Sequence, residues 1–92
     1  MNNIVIPDFS KIDLNQFASK TDMPLIAVYH NPTDYPNKHV ARLWTTGRGG
    51  PRATLYIVIR DTLEDIRATI PAGMVCFNRD PSDVLSLVET WL

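Results

Sequence analysis

Apolar positions in this chain fall in short dense runs rather than in long periodic ones. Three runs lie between residues 25 and 60: LIAVYH (25–30), HVARLWTT (39–46) and ATLYIVI (53–59). The third is rich in β-branched and aromatic residues and carries no charge, which is the composition of a strand. Arg52 and Arg60 flank it, as charges often flank an aggregation-prone strand. Pro32 and Pro36 interrupt the chain between the first two runs, and Gly47, Gly49 and Gly50 between the second and third. The pattern predicts a three-stranded antiparallel meander over 25–60.

The period then changes. In DTLEDIRATIP, Leu63, Ile66 and Ile70 recur at helical spacing. Asp61 or Thr62 can cap the segment, Glu64 and Asp65 sit in its first turn, and Pro71 stops it. A main helix over about 62–70 is expected on one face of the sheet. MVCF (74–77) reads as a fourth strand. The tail VLSLVETWL fits a helix started by Asp80 and Pro81, or a strand with Leu85, Leu87 and Trp91 on one side, and periodicity does not choose. We favour a strand, paired with 74–77 across NRDPSD. Residues 1–24 read as an N-terminal extension holding a short strand, NIVI, and a short helix in SKIDLNQFASK capped by Ser10 or Asp13. Residues 25–92 then form a single α+β domain, with a mostly antiparallel sheet of three to five strands.

Strand alternation sorts side chains into faces. Ile26 and Val28 oppose Leu25, Ala27 and Tyr29; Ala41 and Leu43 oppose Val40, Arg42 and Trp44; Leu55, Ile57 and Ile59 oppose Tyr56, Val58 and Arg60. With matched registers, one face is aliphatic and covered by the helix. The other then carries Tyr29, Arg42, Trp44, Tyr56 and Arg60. Aromatics interleaved with arginine suit a protein interface, and they also stack bases or hold phosphates.

Charge sharpens this picture without deciding it. The 92 residues carry a net charge of −1, yet 35–60 hold Lys38, Arg42, Arg48, Arg52 and Arg60 and no acid, whereas 61–92 are net acidic. A whole-chain basic excess of the kind nucleic-acid binders show is missing. The hairpin tip TTGRGGPR (45–52) offers glycines and two arginines to an anion, but it lacks the lysine, the hydroxyl residue and the following helix of a P-loop. With 45% hydrophobic and 21% charged residues the composition is that of an ordinary globular domain. The apolar runs are far too short for a membrane span, no signal peptide is visible, and a cytoplasmic location is expected.

Catalytic chemistry finds little purchase. His30 and His39 bracket HNPTDYPNKH and, with Asp34, form the one metal-ligand candidate, two histidines and a carboxylate. Pro32, Pro36, Asn31 and Asn37 make the same stretch a turn-forming loop. The lone Cys76, between Val75 and Phe77, reads as a small buried hydrophobe. No serine sits in a nucleophile-elbow context.

The segments VYHNPTDYPNKHVARLW, DTLEDIRATIPAGMV and VETWL resemble small uncharacterised proteins of Gram-positive bacteria and their phages. Those proteins carry a similar Tyr-His-Asn-Pro…Asp-Tyr-Pro loop, a similar helix and a Glu-x-Trp tail. The resemblance spans about residues 27–92. It implies no activity, and it favours a strand for the tail, because the relatives carry a proline within it. The expectation is therefore a non-catalytic interaction module, without cofactor, binding a protein partner or itself as a dimer. Tyr29, Arg42, Trp44, Tyr56 and Arg60 would carry it. The alternative is a nucleic-acid or nucleotide binder using the same face plus Arg48 and Arg52. A metal-dependent activity at His30, Asp34 and His39 comes third.

Overall fold

The computed structural model describes residues 3–82 and 85–92. Six strands form one mixed sheet: β1 (Ile4–Val5), β2 (Met23–His30), β3 (His39–Thr46), β4 (Arg52–Arg60), β5 (Cys76–Asn78) and β6 (Leu87–Trp91), in the order β1-β4-β3-β2-β6-β5. The sole α-helix among the described residues, α1, is Leu63–Arg67. The expected fold class is corrected on four counts. The described sheet has six strands rather than three to five, one of its edges is parallel, the principal helix has five residues, and the N-terminal segment holds 3-10 turns instead of a helix.

Each correction has a local cause. β1 runs parallel to β4, pairing Ile4 with Tyr56 and Val5 with Ile57. Ile6 adds one more bond to the Ile57 carbonyl at 2.9 Å, and Pro7, which has no N–H, ends the ladder. The helix starts as its sequence dictates: the Thr62 hydroxyl accepts the Asp65 N–H at 3.1 Å. It ends early because Thr69 turns its hydroxyl back to the Ile66 carbonyl, at 2.7 Å, and the chain tightens into three-residue turns before Pro71. The expected N-terminal helix is two 3-10 turns, Phe9–Lys11 and Leu14–Phe17. Asp8 and Asp13 each cap a new turn, accepting the N–H groups of Ser10 and Asn15, so the segment starts twice and propagates neither time.

The meander is β2, β3 and β4, paired antiparallel. The chain then crosses the sheet through α1 and returns as a hairpin whose second strand, β6, inserts between β2 and β5. The tail is thus a strand; Val84 lies outside the described residues. Phe9, Ile26, Val28, Ala41, Leu43, Val58 and Ile66 form the core, each at most 1% exposed. Ile12, Leu14, Phe17, Leu63 and Ile70 pack against it from the 3-10 turns and the helix. Everything helical therefore lies on one side of the sheet, here called the inner face.

The register of β4 overturns the expected sorting of faces. Val58 pairs with Ala41, and Ile57 with Arg42, so Tyr56, Val58 and Arg60 share the inner face with Ile26 and Leu43. Ile57 and Ile59 share the outer face with Tyr29, Arg42 and Trp44. A shift between Arg42 and Trp44, where Trp44 pairs with Ala53, leaves 54–56 as a bulge opposite Leu43. The Thr54 hydroxyl holds that bulge, donating to the Leu43 carbonyl at 2.8 Å.

Candidate functional site

The outer face is closed at Ala27, Val40 and Ile57, which are buried, and open elsewhere. By strand parity it carries Val5, Met23, Val75, Phe77 and Leu92, exposed by 57, 53, 59, 50 and 40%. Val5 pairs with Ile57, and Phe77 with Thr90, which pairs in turn with Ala27. Val75 and Leu92 exchange both backbone hydrogen bonds, at 2.8 and 3.0 Å, just beyond the β5–β6 ladder. Two shallow grooves run along this face on either side of Tyr29. One, of about 350 Å³, is lined by Leu25, Ala27, Tyr29, Trp44, Pro51 and Leu87. The other, of about 340 Å³, is lined by Tyr29, Pro32, Asp34, Val40, Arg42 and Ser86. The Trp44 indole nitrogen is buried and has no hydrogen-bond partner among the described residues.

Leu87 reaches this face through a second irregularity. Glu89 pairs with Val28 but Leu87 pairs with Tyr29, so the tail bulges at Val88 and its parity reverses there. Leu87 and Trp91, expected on one side, end on opposite sides. Trp91 packs inward beside Glu89.

The seven residues expected to bind fall into three places. Tyr29, Arg42 and Trp44 lie on the outer face. Tyr56 lies on the inner face, its ring edge-on to Phe17 with centroids 6.0 Å apart. Arg60 is also inner and donates to the carbonyls of Ile59 and Pro7. Arg48 and Arg52 sit in and beside the 47–51 turn, where Arg52 meets Asp22 at 3.4 Å. Arg42 is tied down by two 2.8 Å bonds, to the Thr54 carbonyl and the Asn3 side-chain oxygen. Asn3 in turn reaches the Tyr35 hydroxyl at 3.3 Å, so the 31–38 loop is tethered over the outer face.

That loop answers the question of the two histidines. His30 and His39 are a cross-strand pair with their rings stacked, centroids 4.4 Å apart. Asp34 lines the outer-face groove with Arg42 instead, and no cluster of three or more metal-ligating side chains occurs among the described residues. The turn is built by asparagine: Asn31 and Asn37 take φ of 55° and 63°, and the Asn31 side chain accepts the Asn37 N–H at 2.8 Å. The left-handed region costs a residue with a Cβ roughly 1–2 kcal/mol, and asparagine tolerates it best. Asn37→Ala should thus lose about 1 kcal/mol in chemical denaturation, and Asn37→Gly should stay within a few tenths of wild type.

One buried polar cluster was not anticipated. Glu89 is 2% exposed beneath α1. Arg67 grips it with two bonds, Nε to Oε2 at 3.2 Å and Nη2 to Oε1 at 2.7 Å, and the Trp91 indole N–H donates at 2.6 Å. Desolvation pushes the carboxyl upward, but the bonds from Arg67 and Trp91, the guanidinium charge and the Cys76 thiol together hold it below its usual value. Cys76, expected to be buried, is exposed on the edge strand β5. Local desolvation and the Glu89 charge raise its pKa, which keeps the thiol protonated and a weak nucleophile. The cluster ties the helix to β6 and β5. The signal in the sequence was an acid inside the otherwise apolar VETW.

No family model, curated protein or solved structure matches this chain. The functional reading therefore rests on the geometry of the two faces.

Proposed function

We propose that the chain is a small non-catalytic interaction module that docks a protein on the outer face of its sheet. The observation that carries this reading is the gathering of exposed apolar side chains on the face that no helix covers among the described residues. Val5, Met23, Val75, Phe77 and Leu92 are all at least 40% exposed there, around a groove holding Leu25, Tyr29 and Trp44. Exposed apolar side chains collected on one face mark a contact site in small proteins, and the tryptophan and tyrosine of the groove supply the usual anchors. The face differs from the mixed aromatic and arginine surface expected from the sequence: it is more apolar, and Tyr56 and Arg60 are not part of it.

The nucleic-acid alternative draws less support. It needs several cations free to meet phosphate. Arg42 and Arg60 are bonded to backbone carbonyls and Arg52 faces Asp22, which leaves Arg48 without a partner among the described residues. The metal reading has two adjacent imidazoles, but Asp34 lies in the groove with Arg42.

The test is a photo-reactive side chain placed at Leu25 or Phe77 in cells, with the exposed helix position Glu64 as control. A discrete cross-linked protein species at Leu25 and Phe77, lost on Trp44→Ser and not seen at Glu64, is expected. Equal, diffuse labelling at all three positions would overturn the reading.

A further inference from the structure

We infer that the occupant of the outer face is a second copy of this chain, stacked face to face with its strands antiparallel to those of the first. The inference rests on the docking reading above and adds the partner and its orientation. It starts from two exposed charges. Asp34 sits in the 31–38 loop and lines the outer-face groove; Arg48 sits in the turn at Gly47–Gly50. Neither has a partner among the described residues. Lys38 is matched with Asp61 and Arg52 with Asp22, while Lys20, beside Gly47, adds a second cation to the Arg48 end. β3 runs its eight residues from one loop to the other, so the unmatched acid and base stand about 27 Å apart at opposite ends of the face.

Two-fold symmetry turns that separation into a choice of orientation. An axis lying across the strands brings the Asp34 end of each copy over the Arg48 end of the other, and both unmatched charges meet an opposite one. An axis along the strands sets acid over acid and base over base. The same surface patch is therefore self-complementary in one arrangement and self-repelling in the other. Area points the same way. The six strands, 35 residues in all, at about 3.3 Å per residue and about 4.8 Å apart give a flat footprint of roughly 550 Å², short of the roughly 800 Å² per partner of a standard interface. The end loops must join the contact to reach it, and those are the loops that carry the two charges. Two sheets stacked about 10 Å apart through facing apolar surfaces form an ordinary sandwich.

Sedimentation of the purified chain at micromolar concentrations, in low salt, tests this. Wild type should run as a dimer. Asp34→Arg alone and Arg48→Asp alone should each weaken dimerisation roughly tenfold or more, since like charges then meet twice per dimer. Mixing the two single variants in equal amounts should restore it, because only the mixed pair sets opposite charges together in both contacts. Unchanged melting temperatures would show that the exposed substitutions leave the fold intact. A mixture no tighter than the separate variants would overturn the antiparallel arrangement. A wild type that stays monomeric overturns the second copy altogether; if Leu25 and Phe77 then still cross-link to a protein of another mass, the docking reading survives, and if they do not, both fall.

Discussion

Glu89→Ala should lower stability by about 3 kcal/mol. The carboxylate is 98% buried and accepts from Arg67 and Trp91 at once. Its removal leaves the indole N–H without an acceptor, at a cost of about 1–3 kcal/mol, and opens a small cavity that adds to it. For a domain of this size the loss corresponds to a melting temperature lower by about 15 °C. Glu89→Gln keeps the shape and one acceptor and should lose about half as much. The pH dependence gives a sharper signature. The folded carboxyl sits below its ordinary value, so its contribution is fully present above about pH 4.5 and is lost as pH falls through the folded pKa. Arg67→Leu removes the guanidinium and leaves the desolvation, which is the largest single influence on the group. With its strongest lowering partner gone, the carboxyl should titrate higher than in wild type, so the variant should lose less stability than wild type as the solution is acidified. Thermal melts of both proteins should show the gap between wild type and Arg67→Leu narrowing as pH falls. A constant gap would mean that Glu89 does not depend on Arg67 for its charge.

Gly47→Val should lower stability by about 3 kcal/mol. A Cβ at this position would stand 1.9 Å from the Asp22 carboxylate oxygen and 2.4 Å from the Thr21 carbonyl oxygen. Asp22 can rotate away, though it then leaves Arg52; the Thr21 carbonyl is backbone, and the 19–22 turn must move with it. Overpacking alone typically costs 1–3 kcal/mol, and displacement of the turn next to β2 brings the total to the upper end. Gly49→Val is the internal control, since nothing lies within 4 Å of a Cβ there. Guanidinium denaturation of the two variants should therefore differ by at least about 2 kcal/mol.

These two sites show what could be read from the residues and what could not. The alternation of Ile26 and Val28 against Leu25, Ala27 and Tyr29 was legible, because side chains in a regular strand change face at every step. The partner of each strand was not. A one-residue change of register moves a whole set of side chains across the sheet, and the register of β4 follows from the 47–51 turn and the bulge at 54–56, neither of which has a hydrophobic pattern. Tyr56 and Arg60 consequently fell on the helix side. The bulge at Val88 did the same to Leu87. The helix signals at Thr62, Glu64 and Asp65 placed its start correctly, while its end depended on Thr69 bonding the Ile66 carbonyl, a choice between backbone geometries of nearly equal energy. Arg42 and Trp44 were placed together on one face by the same alternation. That the first is tethered through Asn3 to the 31–38 loop required knowing that β1 joins the sheet edge beside β4.

The position of β6 has a consequence for how the molecule opens. Among the described strands β5 is bonded to β6 alone, and β6 meets the rest of the sheet along β2, where Ile26 pairs with Trp91 across 65 positions of sequence. β5 and β6 therefore form a flap held by one sheet seam and by the Arg67–Glu89 bonds, closed by the latest contacts the chain can make. Amide hydrogens of β5 and β6 should exchange with solvent deuterium sooner than those of β3, which is flanked by strands of the continuous meander. Protonating Glu89 loosens the flap first, so acid should bring on its exchange while β3 remains protected.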